Sequence, residues 1–270
     1  MNSILQACCS TRSSRNWLSA GIACALLAAC STAPREHQLD FFALGTEVSV
    51  SVYGVGNKEV ERASQSLQAY FAVVGHDWYP WRPGELQRVN TALAAQRPVQ
   101  VSPPLAHIIR RAAELEIQSN NTFNAGLGGL TELWGLDDIT VMPEHVPDAA
   151  AIDELLSSGL SLTGIEWRGD EIRSAPSTLM IDLGGIAKGA ILEESIRLLL
   201  AAGIDNAIVN IGGDLTVLGS IDGRAARIGI RSPTAAAAIA AINIAAGETI
   251  LTSGNYERFV EIGGHRYTHI

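Results

Sequence analysis

The sequence predicts an α+β domain, on three observations. After Gly45 the chain alternates, with Val48, Val50 and Val52 on one side and Glu47, Ser49 and Ser51 on the other, which is the period of a half-buried strand. Segments 57–78 and 102–120 carry apolar residues at helical spacing. The last third breaks into short apolar runs, two of them interrupted by Gly-Gly at 212–213 and 263–264, a hairpin signal. Long helices followed by antiparallel hairpins make an α+β arrangement.

At the start, residues 1–29 are read as an export signal rather than as fold. Arg12 and Arg15 stand without an acidic residue, and "WLSAGIACALLAAC" is an apolar run closing on small residues, too short for a stable membrane span. Its ending, "LAAC" at 27–30, resembles the lipobox of bacterial lipoproteins, which implies cleavage before Cys30 and a lipid on Cys30. Residues 30–38 then form the lipidated cysteine and a polar linker, and 39–270 the domain. All four cysteines lie within the first thirty residues, so the exported domain has none for a disulfide and is held by its core. With 47% hydrophobic residues that core is available. The chain carries a net charge of −9, from 19 basic and 28 acidic residues; without Arg12 and Arg15 the basic residues number 17 and the charge is −11. Nucleic acid is therefore excluded as a non-specific partner. An anionic ligand has to be met by local backbone donors, a lysine or a metal.

Along the domain, 39–54 contains the strand that alternates after Gly45, and 57–78 is a helix through Val60, Ala63, Leu67, Tyr70, Phe71 and Val74. Segment 78–90, "WYPWRPGELQRVN", is read as loop because Pro80, Pro83 and Gly84 break it. Helix 102–120 opens with Ser102 as N-cap and proline in its first turn. A glycine-punctuated stretch follows from Phe123, then a short helix at 148–157. "STLMI" at 177–181 reads as a buried strand, and 190–203 as a helix whose C-cap glycine is Gly203.

Between that strand and that helix stands "DLGGIAKG", 182–189. A phosphate loop requires G-x-x-x-x-G-K-[ST], and here the lysine follows alanine and precedes glycine, so a nucleoside triphosphatase is excluded; the dinucleotide spacing G-x-G-x-x-G is absent too. On the residues alone two readings stand: an anion site at a helix start, or Asp182 as a helix cap with Lys188 facing solvent. "VNIGGDLTVLG" is a hairpin in which Asn210 and Asp214 flank two glycines. No nucleophile elbow and no H-E-x-x-H pattern exists.

Taken in order, these stretches resemble the ApbE family of flavin transferases. "ALGTEVSV" is similar to its M-G-T strand with Leu44 for methionine, "RPGELQRVN" to P-x-S-E-L-x-x-x-N, and "FNAGLGGLTELWG" to F-D-x-T-V-G-P-L-x-x-L-W-G. "IDLGGIAKG" matches D-L-G-[GA]-I-A-K-G, and "IVNIGGDLTVLG" the G-G-D hairpin after it. "TSGNYERF" and "HRYTHI" look like T-S-G-D-Y-x-R and the start of H-H-I-x-D-P-x-T-G.

The resemblance implies a T-fold-like α+β domain of mixed and antiparallel sheets packed with helices. It implies an enzyme that uses FAD and Mg2+, transfers FMN through a phosphoester to a threonine or serine of an acceptor protein, and releases AMP. The implied acceptor is a membrane redox-complex subunit, met by a lipid-anchored enzyme on the periplasmic face. Leu44, Thr46, Phe123, Asn124, Ala125, Asp182, Lys188 and Ile270 fall on the FAD site by this resemblance. Gly185 offers a backbone carbonyl to the metal, and His269 lies near the reacting phosphate as a candidate general base. Trp81 is the expected aromatic on the flavin, with Tyr79 as competitor. Asn124 and Asn255 replace acidic residues. Because the family pattern runs on past Ile270, the remaining metal ligands are expected beyond it and the chain is read as truncated. A non-catalytic FAD-binding lipoprotein and an FAD pyrophosphate hydrolase are the alternatives.

Overall fold

The valines of the alternating segment build the centre of the domain. In the computed structural model, which describes residues 36–43, 45–137, 143–235, 237–255 and 259–268, β1 (Glu36–Ala43) and β2 (Thr46–Tyr53) form an antiparallel pair. Val48, Val50 and Val52 of β2 stand opposite Ile211, Val209 and Ala207 of β6 (Ala207–Ile211), and all six are fully buried. Fully burying one such aliphatic side chain contributes about 2 kcal/mol, so this face alone anchors the sheet. The outward residues of β1 and β2 are polar apart from the exposed Phe42, and they bond across the pair, Ser51 Oγ donating to Gln38 Oε1 at 2.6 Å and Tyr53 OH to Glu36 Oε1 at 3.2 Å. Glu36, His37 and Gln38, expected in the linker, are therefore the first residues of β1. The polarity of Glu36 and Gln38 suits a strand whose outer face is wet, whereas His37 lies on the inward side, opposite Val52.

The buried face is covered by two helices. α1 (Asn57–Asp77) presents Val60, Ala63, Leu67, Phe71 and Val74, and Phe71 meets Phe41 of β1 edge-on at 5.1 Å between ring centroids. α6 (Ala187–Ala201) presents Ile191, Leu192 and Leu199. Between them in sequence come α2 (Glu85–Ala94), β3 (Val99–Gln100), α3 (Pro103–Gln118), α4 (Gly128–Leu133) and α5 (Ala149–Ser157). β4 (Glu166–Arg168) and β5 (Glu171–Ser174) follow. The main sheet runs β1-β2-β6-β7-β10, all antiparallel, with β7 at Asp214–Leu218 and β10 at Thr249–Ile250. A small sheet β3-β5-β4 and two hairpins, β8 (Ala226–Arg231) with β9 (Ala238–Ile244) and β11 (Phe259–Ile262) with β12 (His265–Thr268), complete it. The predicted α+β class and both Gly-Gly hairpins are found, with positive φ at Gly212, Gly213, Gly263 and Gly264.

Three further expectations change. Segment 78–90 is not all loop: α2 begins at Glu85, because Leu86, Val89, Asn90 and Leu93 share one buried face. Ser102 precedes α3 but its hydroxyl does not cap it; Glu85 takes both Ser102 N–H at 2.7 Å and Oγ–H at 2.6 Å, tying α2 to α3. "STLMI" buries Leu179 and Ile181 but forms no strand, only an isolated parallel bridge from Met180 to Leu127.

Candidate active site

What holds segment 180–182, in place of a sheet, is a set of bonds from two other parts of the chain. On one side Gly128 N–H donates to Met180 C=O at 2.9 Å and Asp182 N–H to Ala125 C=O at 2.8 Å. On the other, the buried amide of Asn90 replaces a neighbouring strand. Its Nδ2 donates to Ile181 C=O and its Oδ1 accepts from Ile181 N–H, both at 2.9 Å. The glycines of the 123–128 loop allow this approach: a β-carbon on Gly126 would stand 1.9 Å from Leu160 C=O, and one on Gly128 2.6 Å from Met180 C=O.

Asp182 is thereby aimed into a tight turn. Its Oδ1 accepts from Gly184 N–H at 2.9 Å, and its Oδ2 lies 3.5 Å from the Thr131 hydroxyl. The helix-cap alternative is not what the structure has, because the residue before α6 is Ile186 and no side chain caps it. Phe123 lies over the turn, so that a β-carbon on Gly185 would come within 3.0 Å of its ring. Asn124 folds its own Oδ1 back to Gly126 N–H at 2.7 Å, a bond an aspartate would make equally. Ala125 is buried and serves through its carbonyl.

Lys188 sits in the first turn of α6 and does not simply face solvent. Its Nζ is 2.6 Å from Oδ2 of Asp214, the first residue of β7, whose side chain is only 8% exposed. Asp214 Oδ1 accepts from Thr252 N–H at 2.7 Å, and Thr252 Oγ1 donates to Gly213 C=O at 3.2 Å. Thr46 packs under the same hairpin: at Gly212, φ +57°, a β-carbon would reach 2.5 Å from its Oγ1. Thr46, Lys188, Asp214 and Thr252 thus form one cluster, and Phe123, Asn124, Ala125, Asp182 and Gly185 another, joined by the 182–188 segment.

Trp81 belongs to neither cluster but lines a cavity of about 720 Å³ with Asn90, Glu132, Leu133, Leu155 and Met180. Met180 and Glu132 are the links, two residues from Asp182 and one from Thr131. Tyr79 does not line that cavity and carries the Arg82 guanidinium over its ring at 5.5 Å. A smaller cavity of about 410 Å³, with Arg88 and Arg97, contains none of the expected site residues. Leu44, His269, Ile270 and Cys30 lie outside the described residues. β12, which ends at Thr268, packs Tyr267 against Trp134, the ring centroids 5.3 Å apart and the planes tilted by 36°. Among the described residues no group of three or more His, Cys, Asp or Glu is placed to hold a metal. No helix among them is long and apolar enough to cross a membrane.

Asn90, Thr131, Asp214 and Thr252 were not singled out as site residues by the sequence. Asp214 had a signal, as the acid flanking the Gly-Gly turn, but its partner lies 26 residues earlier, on a different element.

The sequence profile of the ApbE family matches residues 44–270. The FAD:protein FMN transferase of Rhodobacter capsulatus is 35% identical over 254 residues, covering 94% of this chain and 48% of that protein. The chain therefore spans about half the length of that relative. The Klebsiella pneumoniae FAD:protein FMN transferase is 30% identical, with 92% of this chain and 74% of that one covered. Among solved structures, the ApbE protein of Thermotoga maritima superposes with a TM-score of 0.76 at 25% identity, over 87% of this chain and 75% of its own. The Pseudomonas stutzeri flavinyl transferase shares the fold, with a TM-score of 0.67 at 20% identity, over 79% of this chain and 69% of its own. A profile that runs from residue 44 to the last residue, and takes in both clusters of the site, places the chain in the ApbE family.

Proposed function

We propose that the protein transfers the FMN half of FAD to a threonine or serine hydroxyl of an acceptor protein. In that reaction the hydroxyl oxygen bonds to the phosphorus on the flavin side of the diphosphate. The anhydride P–O bond breaks, AMP leaves, and the hydroxyl proton passes to a base or to water.

One observation carries the reading: Lys188 stands in the first turn of α6, where the helix dipole is also positive. Two positive features at one point are unfavourable unless an anion joins them, and Asp214 offsets only one. A diphosphate completes the balance in a chain whose overall charge is negative. Asp182 and the glycine turn beneath Phe123 form the adjoining wall, and the cavity with Trp81 has the size and the aromatic face to take a ring of the flavin nucleotide. Magnesium belongs to this reading through the family resemblance. The described residues do not by themselves make a magnesium site.

Anchoring through a lipid on Cys30, at the periplasmic face and beside a membrane-bound redox acceptor, is part of the proposal, supported by the apolar run that ends on that cysteine. Replacement by Cys30→Ser is expected to move the protein from the membrane to the soluble fraction.

The test of the activity is to follow FAD, AMP and FMN by chromatography with an acceptor peptide present, with and without EDTA. Transfer requires AMP in step with FAD consumed, dependence on the acceptor, and loss with EDTA. Free FMN and AMP in equal amounts without acceptor would identify pyrophosphate hydrolysis instead. Binding without turnover would identify a flavin-binding protein.

A further inference from the structure

The Lys188–Asp214 pair poses a problem that the proposed reaction does not answer. A site for a diphosphate gains from positive charge, yet the lysine expected to supply it is held by a carboxylate. Asp214 is buried, and both its oxygens are used, Oδ2 by Lys188 Nζ at 2.6 Å and Oδ1 by Thr252 N–H at 2.7 Å. The carboxylate is therefore fixed from two directions, by the backbone of the segment after β10 and by the hairpin turn that begins β7. Lys188 is one-third exposed and lies on a flexible four-carbon stem. Alone, such a side chain spreads over many rotamers, and its order has to be supplied when the ligand binds.

We infer that Asp214 is a positioning residue: it fixes the direction of Lys188 before the ligand arrives and ties the lysine to the Thr252 segment. This rests on the reading of Lys188 as a diphosphate contact. Asp214 itself would not touch the ligand. It acts by removing disorder from the one cation of the cluster, at the expense of some of that cation's field.

The two consequences of Asp214 have opposite signs, which makes the inference decidable. If only charge matters, removing a negative group beside a diphosphate strengthens FAD binding. If orientation matters more, the same change weakens it. Flavin fluorescence gives the affinity for FAD of the wild-type chain, Asp214→Asn, Lys188→Ala and the double variant, with Asp214→Ser as a second replacement should the amide misfold. Asp214→Asn is expected to weaken binding by up to about tenfold, the scale of having to order one rotamer-rich side chain when the ligand binds. In the Lys188→Ala background the same change is expected to matter less than about twofold, because a residue that acts only through Lys188 has nothing left to act on.

Equal or tighter binding by Asp214→Asn overturns the inference. So does an equal loss in both backgrounds, which marks a purely structural role. If the wild-type chain itself binds no FAD, the transferase reading falls and the inference with it. Wild-type binding with an indifferent Asp214→Asn defeats the inference alone.

Discussion

Replacing Asn90 removes the side chain that pairs both backbone groups of Ile181, and the structure sets the size of the effect. Asn90→Leu keeps the volume but leaves Ile181 N–H and C=O without the two 2.9 Å bonds they now make in the interior. An orphaned buried polar group costs about 1–3 kcal/mol, and part of that returns through the added apolar surface, so a net loss of about 3 kcal/mol is expected. Against a typical domain stability of about 5–15 kcal/mol this is large but survivable. Urea unfolding measures it, with the midpoint lowered and the slope unchanged. Asn90→Asp sharpens the reasoning. Its carboxylate keeps an acceptor for Ile181 N–H but sets an oxygen against Ile181 C=O, which only the protonated acid can bond. The deficit of Asn90→Asp is therefore expected to shrink as pH falls, the sign for an acid whose folded pKa is raised. A midpoint for Asn90→Leu within about 0.5 kcal/mol of wild type, the usual range for a surface change, would refute the account of how Asp182 is held.

Other outcomes follow from the same geometry. Gly126→Ala forces a β-carbon against Leu160 C=O and is expected to lose at least about 3 kcal/mol, whereas Gly189→Ala, in open space inside α6, is expected to gain about 0.5–1 kcal/mol, both read by thermal unfolding. Trp81→Ala is expected to weaken FAD binding, measured by flavin fluorescence, while Tyr79→Ala leaves it unchanged; the reverse order would move the aromatic contact to Tyr79. Tyr70 has its pKa pushed above the usual phenol value by burial first and by Glu194 second. A phenol whose folded pKa is raised contributes stability that is full below about pH 10 and is lost as pH rises toward the folded value. Tyr70→Phe is therefore expected to flatten the alkaline limb of the stability profile, as seen by circular dichroism.

Much of this was legible because it was local. The alternation of Val48, Val50 and Val52 and the buried stripe of 57–78 state their own periods, and the two Gly-Gly pairs need positive φ whatever surrounds them. The misreadings came where a long-range partner overrode a local rule. Pro80, Pro83 and Gly84 break the chain as expected, but the helix resumes at once, since its buried face includes the polar Asn90 that a search for apolar spacing passes over. "STLMI" is apolar and short like a strand, yet its hydrogen bonds go to an asparagine side chain 91 residues away and to a glycine loop. Ser102 has the right place and chemistry for a cap, but Glu85 competes for its hydroxyl. At the site, Asp182, Gly185 and Lys188 were marked by their motif, whereas Asp214 acquired a role only when the fold set it beside Lys188.

The central claim, that this site carries FMN from FAD to a protein hydroxyl, is tested most directly by the mass of the acceptor. The protein is incubated with FAD, magnesium and a threonine-bearing acceptor peptide, and the peptide is weighed by mass spectrometry. The account requires a gain of one FMN on the threonine, absent with EDTA and strongly reduced by Lys188→Ala. An acceptor of unchanged mass, from a folded protein that binds FAD, would contradict it.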